Sequence, residues 1–259
     1  MTKLFQYRFN GGSGLEGHSF GNLFIVAMSG VTGNIESAIR ESSRVLAVRG
    51  QVLPSTLDNV TLVATMDDEA VVAGESSITE SHKSIRNMYL EPRDAQAYPE
   101  AIRAILEADL IILGPGSLFT SVLPNLLVDG IQKAVRSSKA MKMYVCNVAT
   151  EKGETDGFSV ADHVASLERN AGPGLYNYVV VNNNFSAMLP EGYSSQMVST
   201  DILPERVKII MADVVDEENR LRHDPKKLAH TLMRVYYERA QVKHVQPDVL
   251  PNTATAAES

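Results

Sequence analysis

The chain has 259 residues, of which 44% are hydrophobic and 21% are charged, and its 24 basic and 31 acidic side chains give a formal net charge of −7. This composition is typical of a globular protein, and the acidic balance offers no basic face to a nucleic-acid backbone, so we expect no nucleic-acid partner. A single cysteine, Cys146, excludes an internal disulfide, and no apolar run approaches the roughly 18 residues of a membrane helix, so we predict a cytoplasmic protein without a membrane partner.

Short apolar stretches alternate with amphipathic segments of helical length along most of the chain. This alternation predicts a single α/β layered domain with a largely parallel sheet, whose strands are covered on both faces. In the first half of the chain we predict two helices within residues 20–48, a strand at 60–65, a hairpin-like insertion at 67–92, a helix at 97–108 and a strand at 110–113. In the second half we predict a helix at 124–137, a strand at 142–148, a helix from Ser159 to residue 170, and strands at 178–181 and 207–211. A last helix begins at Asp224 and Pro225, and a disordered tail is predicted at 245–259.

The loop that follows the predicted strand 110–113 is rich in glycine and hydroxyl groups. Ligands of open α/β sheets bind beyond the carboxyl ends of the strands, so such loops are the first candidates for a site. Gly114 and Gly116 allow the backbone to approach a ligand closely, and Ser117 and Thr120 suit a phosphate or a sugar. The alternative is an ordinary tight turn with a hydroxyl cap.

Two further loops follow predicted strands. Residues 147–157 begin with Asn147 and include Thr150, and their carboxylates are either ligands of a magnesium-bridged diphosphate or caps of the next helix, with capping favoured for Asp156. Asn182 opens a run of three asparagines, which either contacts a base or sugar edge or forms a polar turn.

Residues 17–21 match G-x-S-x-G, the nucleophile elbow of α/β-hydrolases. That motif requires a buried strand directly upstream, and the sequence Asn-Gly-Gly-Ser-Gly at 10–14 cannot form one, so we disfavour a serine hydrolase. The six histidines form no compact pair, which argues against a histidine metal site. Arg222, ahead of the last helix, is either a cation for a diphosphate or part of a surface ion pair.

Four ordered motifs resemble those of the gluconeogenesis factor family, within the 2-phospho-L-lactate transferase superfamily. They are GHSFGNL at 17–23, SRVLAVRG at 43–50 with Leu-Pro at 53–54, LGPGS at 113–117 through Leu-Pro-Asn at 123–125, and Cys-Asn at 146–147 through GETDG at 153–157. The resemblance runs from residue 4 to about residue 243. It implies a Rossmann-like three-layer fold over residues 1–244 and a cytoplasmic protein that binds a UDP-sugar of the UDP-N-acetylglucosamine type. It further implies a link to gluconeogenic growth and cell shape, without established catalysis.

The transferase branch of the superfamily supplies the alternative function. Its members move a phospholactyl group from a guanosine diphosphate carrier onto a deazaflavin and use Mg²⁺, so Mg²⁺ is expected only on this interpretation. Family members ordinarily begin with a strand and a glycine-rich phosphate loop that we do not find here. We therefore expect an N-terminally incomplete domain whose first strand is missing, with low stability, a tendency to form homo-oligomers and weak binding of nucleotide diphosphates.

The resemblance also implies individual ligand contacts. By their position between the motifs, Tyr193 and Arg222 correspond to an aromatic and a cationic contact with the nucleotide sugar, and Asn22 lies in the first motif. We predict no catalytic and no metal-binding residues. The complete predicted ligand-binding set is Asn22, Gly114, Gly116, Ser117, Thr120, Asn147, Thr150, Asn182, Tyr193 and Arg222.

Overall fold

The computed structural model describes residues 2–5, 7–11, 14–46, 49–186, 194–200 and 204–244. The predicted tail at 245–259 lies outside these residues. The helices are α1 Thr2–Phe5, α2 Phe20–Thr32, α3 Ile35–Val45, α4 Glu75–Glu80, α5 Pro99–Glu107, α6 Leu123–Leu127, α7 Ile131–Ser137, α8 Val160–Ala171 and α9 Pro225–His244, with a π-helical turn at Leu118–Val122. The strands are β1 Thr61–Met66, β2 Val71–Ala73, β3 Ile85–Glu91, β4 Leu110–Leu113, β5 Met141–Val145, β6 Tyr178–Asn182 and β7 Lys208–Ala212.

Strands β4 to β7 form a parallel sheet in the order β4-β5-β6-β7. Successive side chains of a strand point to opposite faces, and the two faces here are covered by different helices. Tyr144 and Val179 pack into the core that includes α6, α7 and α8, whereas Met143 and Val180 pack with Leu228 and its neighbours on α9. This confirms the predicted Rossmann-like α/β fold. Among the described helices, none is both long and apolar enough to cross a membrane.

The strand predicted at 60–65 exists as β1, but it does not join the parallel sheet. It is the central strand of a separate antiparallel sheet in the order β2-β1-β3. The connection to β2 is a tight turn in which Met66 N donates to Ala70 O over 2.8 Å and Glu69 has a φ of 68°. β1 pairs with β2 and β3 because these strands follow it closely in sequence. The predicted hairpin-like insertion thus supplies the other two strands of this sheet and the helix α4 that lies between them in the chain.

The helix predicted at 124–137 is divided into α6 and α7. Pro124 lies in the first turn of α6, where its missing N–H costs no hydrogen bond. Val128 then adopts an extended conformation and Gly130 has a φ of 96°, so the helical hydrogen-bond pattern cannot continue through them. The division places α6 and α7 separately against the sheet.

Capping side chains mark the starts of α8, as the sequence predicted, and of α2. Ser159 accepts from Asp162 N and the Asp162 carboxylate accepts from Ser159 N, which completes a capping box at the start of α8. Ser19 caps α2 by accepting from the backbone N–H of Asn22 over 3.2 Å. The structure thus gives Ser19 a capping role, and no described strand leads into it in the manner of a nucleophile elbow.

Candidate functional site

A cavity of about 380 Å³ lies where the loops following β4 and β5 meet the segment that precedes α9. Parallel strands bring their carboxyl ends to the same edge of the sheet, which is where open α/β folds bind ligands. The volume falls within the range of small-molecule pockets. We call it the strand-end cavity; besides Gly116, its lining includes the polar residues Ser117, Ser121, Asn147, Glu151, Arg222 and His223.

The loop after β4 depends on two glycines. Gly114 has a φ of 89°, and a Cβ there would lie 3.2 Å from the carbonyl oxygen of Val145. A Cβ on Gly116 would lie 3.1 Å from the Ser121 side chain. The absence of both side chains lets the loop pack against the end of β5 and brings Ser117 to the cavity.

Two buried carboxyl groups lie behind this loop, each held by hydroxyl groups. Ser117 Oγ donates to Glu151 Oε1 over 3.0 Å. Thr120 and Thr79 donate to Glu154 Oε1 over 2.9 and 3.1 Å. The second carboxyl oxygen of each glutamate is buried without a hydrogen-bond partner in the described structure.

Burial changes the acidity of both groups. Desolvation, followed by the charge of Glu154, raises the pKa of Glu151 to about 7, against the lowering effect of the Ser117 hydrogen bond. Desolvation likewise raises the pKa of Glu154, while hydrogen bonds from Thr120 and Thr79 lower it. Glu151 therefore changes its protonation state near neutral pH at the wall of the cavity.

The loop that carries these glutamates rests on the antiparallel sheet unit through Gly153. This residue has a φ of 81°, and a Cβ would lie 2.2 Å from Thr79 O and 3.1 Å from His82 Nδ1. Only glycine fits this contact between the loop and the end of α4. The antiparallel unit therefore helps to position the acidic wall of the cavity.

The segment before α9 supplies the opposite wall. His223 Nε2 lies 3.2 Å from Cys146 O, and burial lowers the pKa of His223, which keeps its imidazole neutral at neutral pH. The Arg222 guanidinium forms neither an ion pair nor a hydrogen bond with any other side chain of the described residues. An exposed guanidinium in the lining of a pocket is suited to an anionic ligand.

Four predicted site residues line the strand-end cavity: Gly116, Ser117, Asn147 and Arg222. Gly114 is two residues from Gly116 in the same loop. The Oδ1 atom of Asn147 is buried and has no hydrogen-bond partner in the described structure. The sequence thus predicted residues from three separate segments that the fold brings together, and their role as ligand contacts stays a prediction.

Other predicted residues have different surroundings. Thr120 donates to Glu154, and Asn22 is exposed on the first turn of α2. Asn182 donates to Asn184 O over 2.9 Å and accepts from Val214 N over 3.3 Å, so its side-chain amide is hydrogen-bonded to backbone atoms near the end of β6. Tyr193 lies outside the described residues.

Glu151 and His223 line the cavity but were not in the predicted set. Glu151 directly follows the predicted residue Thr150, and His223 directly follows the predicted residue Arg222. Their positions, after a strand and before a helix, were the available sequence signal. Their significance depends on burial, and burial follows from the tertiary contacts rather than from local sequence.

Thr150 is 4% exposed and is tied to a neighbouring segment. Its N–H donates to Gln196 O over 2.7 Å, and its Oγ1 accepts from Gln196 N over 2.9 Å. Replacing Thr150 by Val removes the acceptor of the Gln196 N–H, so we expect Thr150→Val to lower the free energy of unfolding by about 0.5–1.5 kcal/mol in denaturant titration.

The control is Thr61→Val, on the exposed first residue of β1, for which we expect a change within about 0.5 kcal/mol. A folded Thr150→Val protein with unchanged stability but weaker ligand binding would contradict the structural role and support the predicted ligand contact.

The described residues provide no group of three or more His, Cys, Asp or Glu side chains that could hold a metal ion. Any Mg²⁺ that the transferase interpretation implies would therefore take most of its ligands from the oxygens of a bound phosphate and from water.

Comparison with known proteins identifies the family. Residues 1–219 match the family 2-phospho-L-lactate transferase CofD. The chain belongs to this family. A relative from Nostoc sp., named "Putative gluconeogenesis factor", is 45% identical over 246 residues, which cover 91% of this chain and 54% of the Nostoc protein. The gluconeogenesis factor of Bacillus subtilis is 42% identical over 248 residues, covering 92% of this chain and 78% of that protein.

A solved structure agrees with the fold. A crystal structure of a member of the UPF0052 family from Bacillus halodurans superposes with a TM-score of 0.79 at 38% sequence identity, over 89% of this chain and 77% of that one. The resemblance to the gluconeogenesis factor family, within the 2-phospho-L-lactate transferase superfamily, that the four motifs indicated is confirmed. The chain spans little more than half of the Nostoc relative and about three quarters of the crystallised one.

Proposed function

We propose that this CofD-family chain binds a UDP-sugar of the UDP-N-acetylglucosamine type in the strand-end cavity. We further propose that it acts in the cytoplasm as a regulatory protein linked to gluconeogenic growth and cell shape, and not as a catalyst. The name gluconeogenesis factor, carried by relatives 42% identical or more, supports the metabolic part of this proposal.

The observation that carries the proposal is the composition of the cavity wall. Ser117 and the backbone of the glycine loop suit phosphate oxygens, and the guanidinium of Arg222 supplies a positive charge without a side-chain partner in the described residues. The amide of Asn147, which lines the cavity, suits the hydroxyls of a sugar or the polar edge of a uracil. A nucleotide diphosphate sugar combines both chemistries.

A phospholactyl transferase is the second candidate, because the family match is to 2-phospho-L-lactate transferase CofD. Isothermal titration calorimetry separates the two functions. We expect heat of binding with UDP-N-acetylglucosamine, and a weaker or absent signal with a guanosine diphosphate donor in the presence of Mg²⁺. Binding of the guanosine compound alone, with transfer onto a deazaflavin acceptor, would favour the transferase.

Arg222→Ala tests the diphosphate contact. A charge-assisted hydrogen bond contributes about 1.5–3 kcal/mol, so we expect the dissociation constant for UDP-N-acetylglucosamine to rise by about tenfold or more. The control is Arg234→Ala, which removes the same charge from an exposed position of α9 outside the cavity and should leave the dissociation constant unchanged. Equal affinities in the two variants would show that Arg222 does not contact the ligand.

A further inference from the structure

The hydrogen bond between Ser117 and Glu151 forms part of the wall of the strand-end cavity. Ser117 Oγ and Glu151 Oε1 are 3.0 Å apart, and both residues line the cavity. Glu151 Oε2 is buried without a partner, and no Lys, Arg or His among the described residues forms an ion pair with this carboxyl group. A buried carboxyl group without a cation is favoured in its neutral form.

The protonation state of Glu151 decides what Ser117 can offer to a ligand. A hydroxyl has a single proton to donate. When Glu151 is ionised, that proton is donated to the carboxylate and Ser117 presents only lone pairs to the cavity. When Glu151 is neutral, its own O–H can donate to Ser117 Oγ, and the Ser117 proton becomes available to an anionic oxygen.

We propose that Glu151 is a positioning residue of the ligand site: as a neutral acid it donates to Ser117 Oγ, the Ser117 hydroxyl donates to an anionic oxygen of the ligand, and binding therefore takes up a proton. The inference rests on the proposed function, because it concerns the same cavity. It adds that affinity for an anionic ligand depends on pH.

The groups around Glu151 leave few other sources for such a pH dependence. Burial raises the pKa of Cys146 to about 12 and the pKa of Tyr144 well above its usual value, so both stay neutral near pH 7. Burial lowers the pKa of His223, which is therefore neutral above pH 7 as well. Glu154 remains, and its pKa is also raised by burial. Among the described residues, the ionisable groups that face Glu151 or its neighbour Glu154 are Glu75 on α4, Tyr144 and Cys146 on or after β5, and Arg222 and His223 before α9.

The sign of the effect follows from the pKa of Glu151. Its value of about 7 places the neutral form below that pH and the ionised form above it. We expect the dissociation constant for UDP-N-acetylglucosamine to be constant below about pH 6.5 and to rise by about tenfold per pH unit above about pH 7.5. The diphosphate of a nucleotide sugar is esterified at both ends and lacks the ionisation near pH 6 of a phosphate monoester, so the proton comes from the protein site.

Calorimetry over this pH range, in buffers of different ionisation enthalpy, measures affinity and proton uptake together. Glu151→Gln keeps a neutral donor beside Ser117, so we expect it to retain at high pH the affinity that the wild type has at low pH, without proton uptake. Ser117→Ala should weaken binding at low pH and lose the pH dependence. The matched control is Glu154→Gln, a second buried carboxyl outside the cavity lining, which should keep the pH dependence with its midpoint moved to lower pH.

Sulfate, whose charge is fixed in this range, serves as a second probe that needs neither uracil nor sugar. Sulfate binding with proton uptake but no binding of UDP-N-acetylglucosamine would support the role of Glu151 and overturn the proposed function. Binding of UDP-N-acetylglucosamine without pH dependence or proton uptake would overturn the role of Glu151 and leave the proposed function standing. Absence of binding by both probes at low pH would overturn both.

Discussion

Gly153→Ala should lower the free energy of unfolding by about 3 kcal/mol or more, through a left-handed backbone conformation and overpacking together. The backbone at Gly153 has a φ of 81°, and the added Cβ would lie 2.2 Å from the carbonyl oxygen of Thr79. Backbone atoms on both sides of this contact cannot move as a flexible side chain can. The variant would therefore separate the loop from α4 or distort both.

Thermal denaturation measures the effect, and for a chain of this size the loss corresponds to a decrease in Tm of roughly 6–12 °C. Gly157→Ala is the matched control in the same loop, because Gly157 also has a positive φ, of 73°, but no atom lies within 4 Å of the added Cβ. We expect it to cost only the conformational term, about 1–2 kcal/mol. Equal losses in the two variants would show that the contact with α4 does not constrain the loop.

Displacement of the loop by Gly153→Ala should also weaken ligand binding. Thr79 of α4 donates to Glu154, and Glu151 precedes Gly153 by two residues, so a displaced loop would also change the hydrogen bond from Ser117. We therefore expect Gly153→Ala, where it folds, to bind UDP-N-acetylglucosamine more weakly than Gly157→Ala does. This links the antiparallel sheet unit to the cavity at the edge of the parallel sheet.

Glu151→Gln should stabilise the ligand-free protein at high pH. The folded-state pKa of Glu151 is about 7, above the ordinary value of 4.5, so its stabilising contribution is fully present below about pH 4.5 and is lost as the pH rises through about 7. Glutamine has no charge to bury. We expect the gain in unfolding free energy from Glu151→Gln to be about 2 kcal/mol larger near pH 8 than near pH 5.

Urea titrations at the two pH values measure this difference. Glu107→Gln is the control, because Glu107 is exposed at the end of α5 and its replacement should change stability by less than about 0.5 kcal/mol at either pH. A Glu151→Gln gain that is the same at both pH values would show that the folded protein does not retain the proton of Glu151 near neutrality. That result would also remove the basis for the proposed proton uptake.

Local sequence patterns determined much of the architecture. The Ser159 and Asp162 capping box, the start of α9 at Pro225 and the alternation of apolar stretches with helices each depend on neighbours within a few residues, so they are visible in the sequence alone. The same holds for the loop containing Gly114 and Gly116, whose place after a strand predicted its position at the carboxyl edge of the sheet.

Contacts between distant segments decided the rest. A strand pattern at 60–65 does not specify a partner, and the formation of a second, antiparallel sheet depended on pairing with β2 and β3. The hydrogen bonds of Thr150 and Asn182 to the backbone of distant segments are likewise not visible in the sequence. Nothing in the sequence around Glu151 indicates an unusual pKa. Its burial and the nearby charge of Glu154 raise the pKa, because desolvation depends on what the folded chain places around a charge.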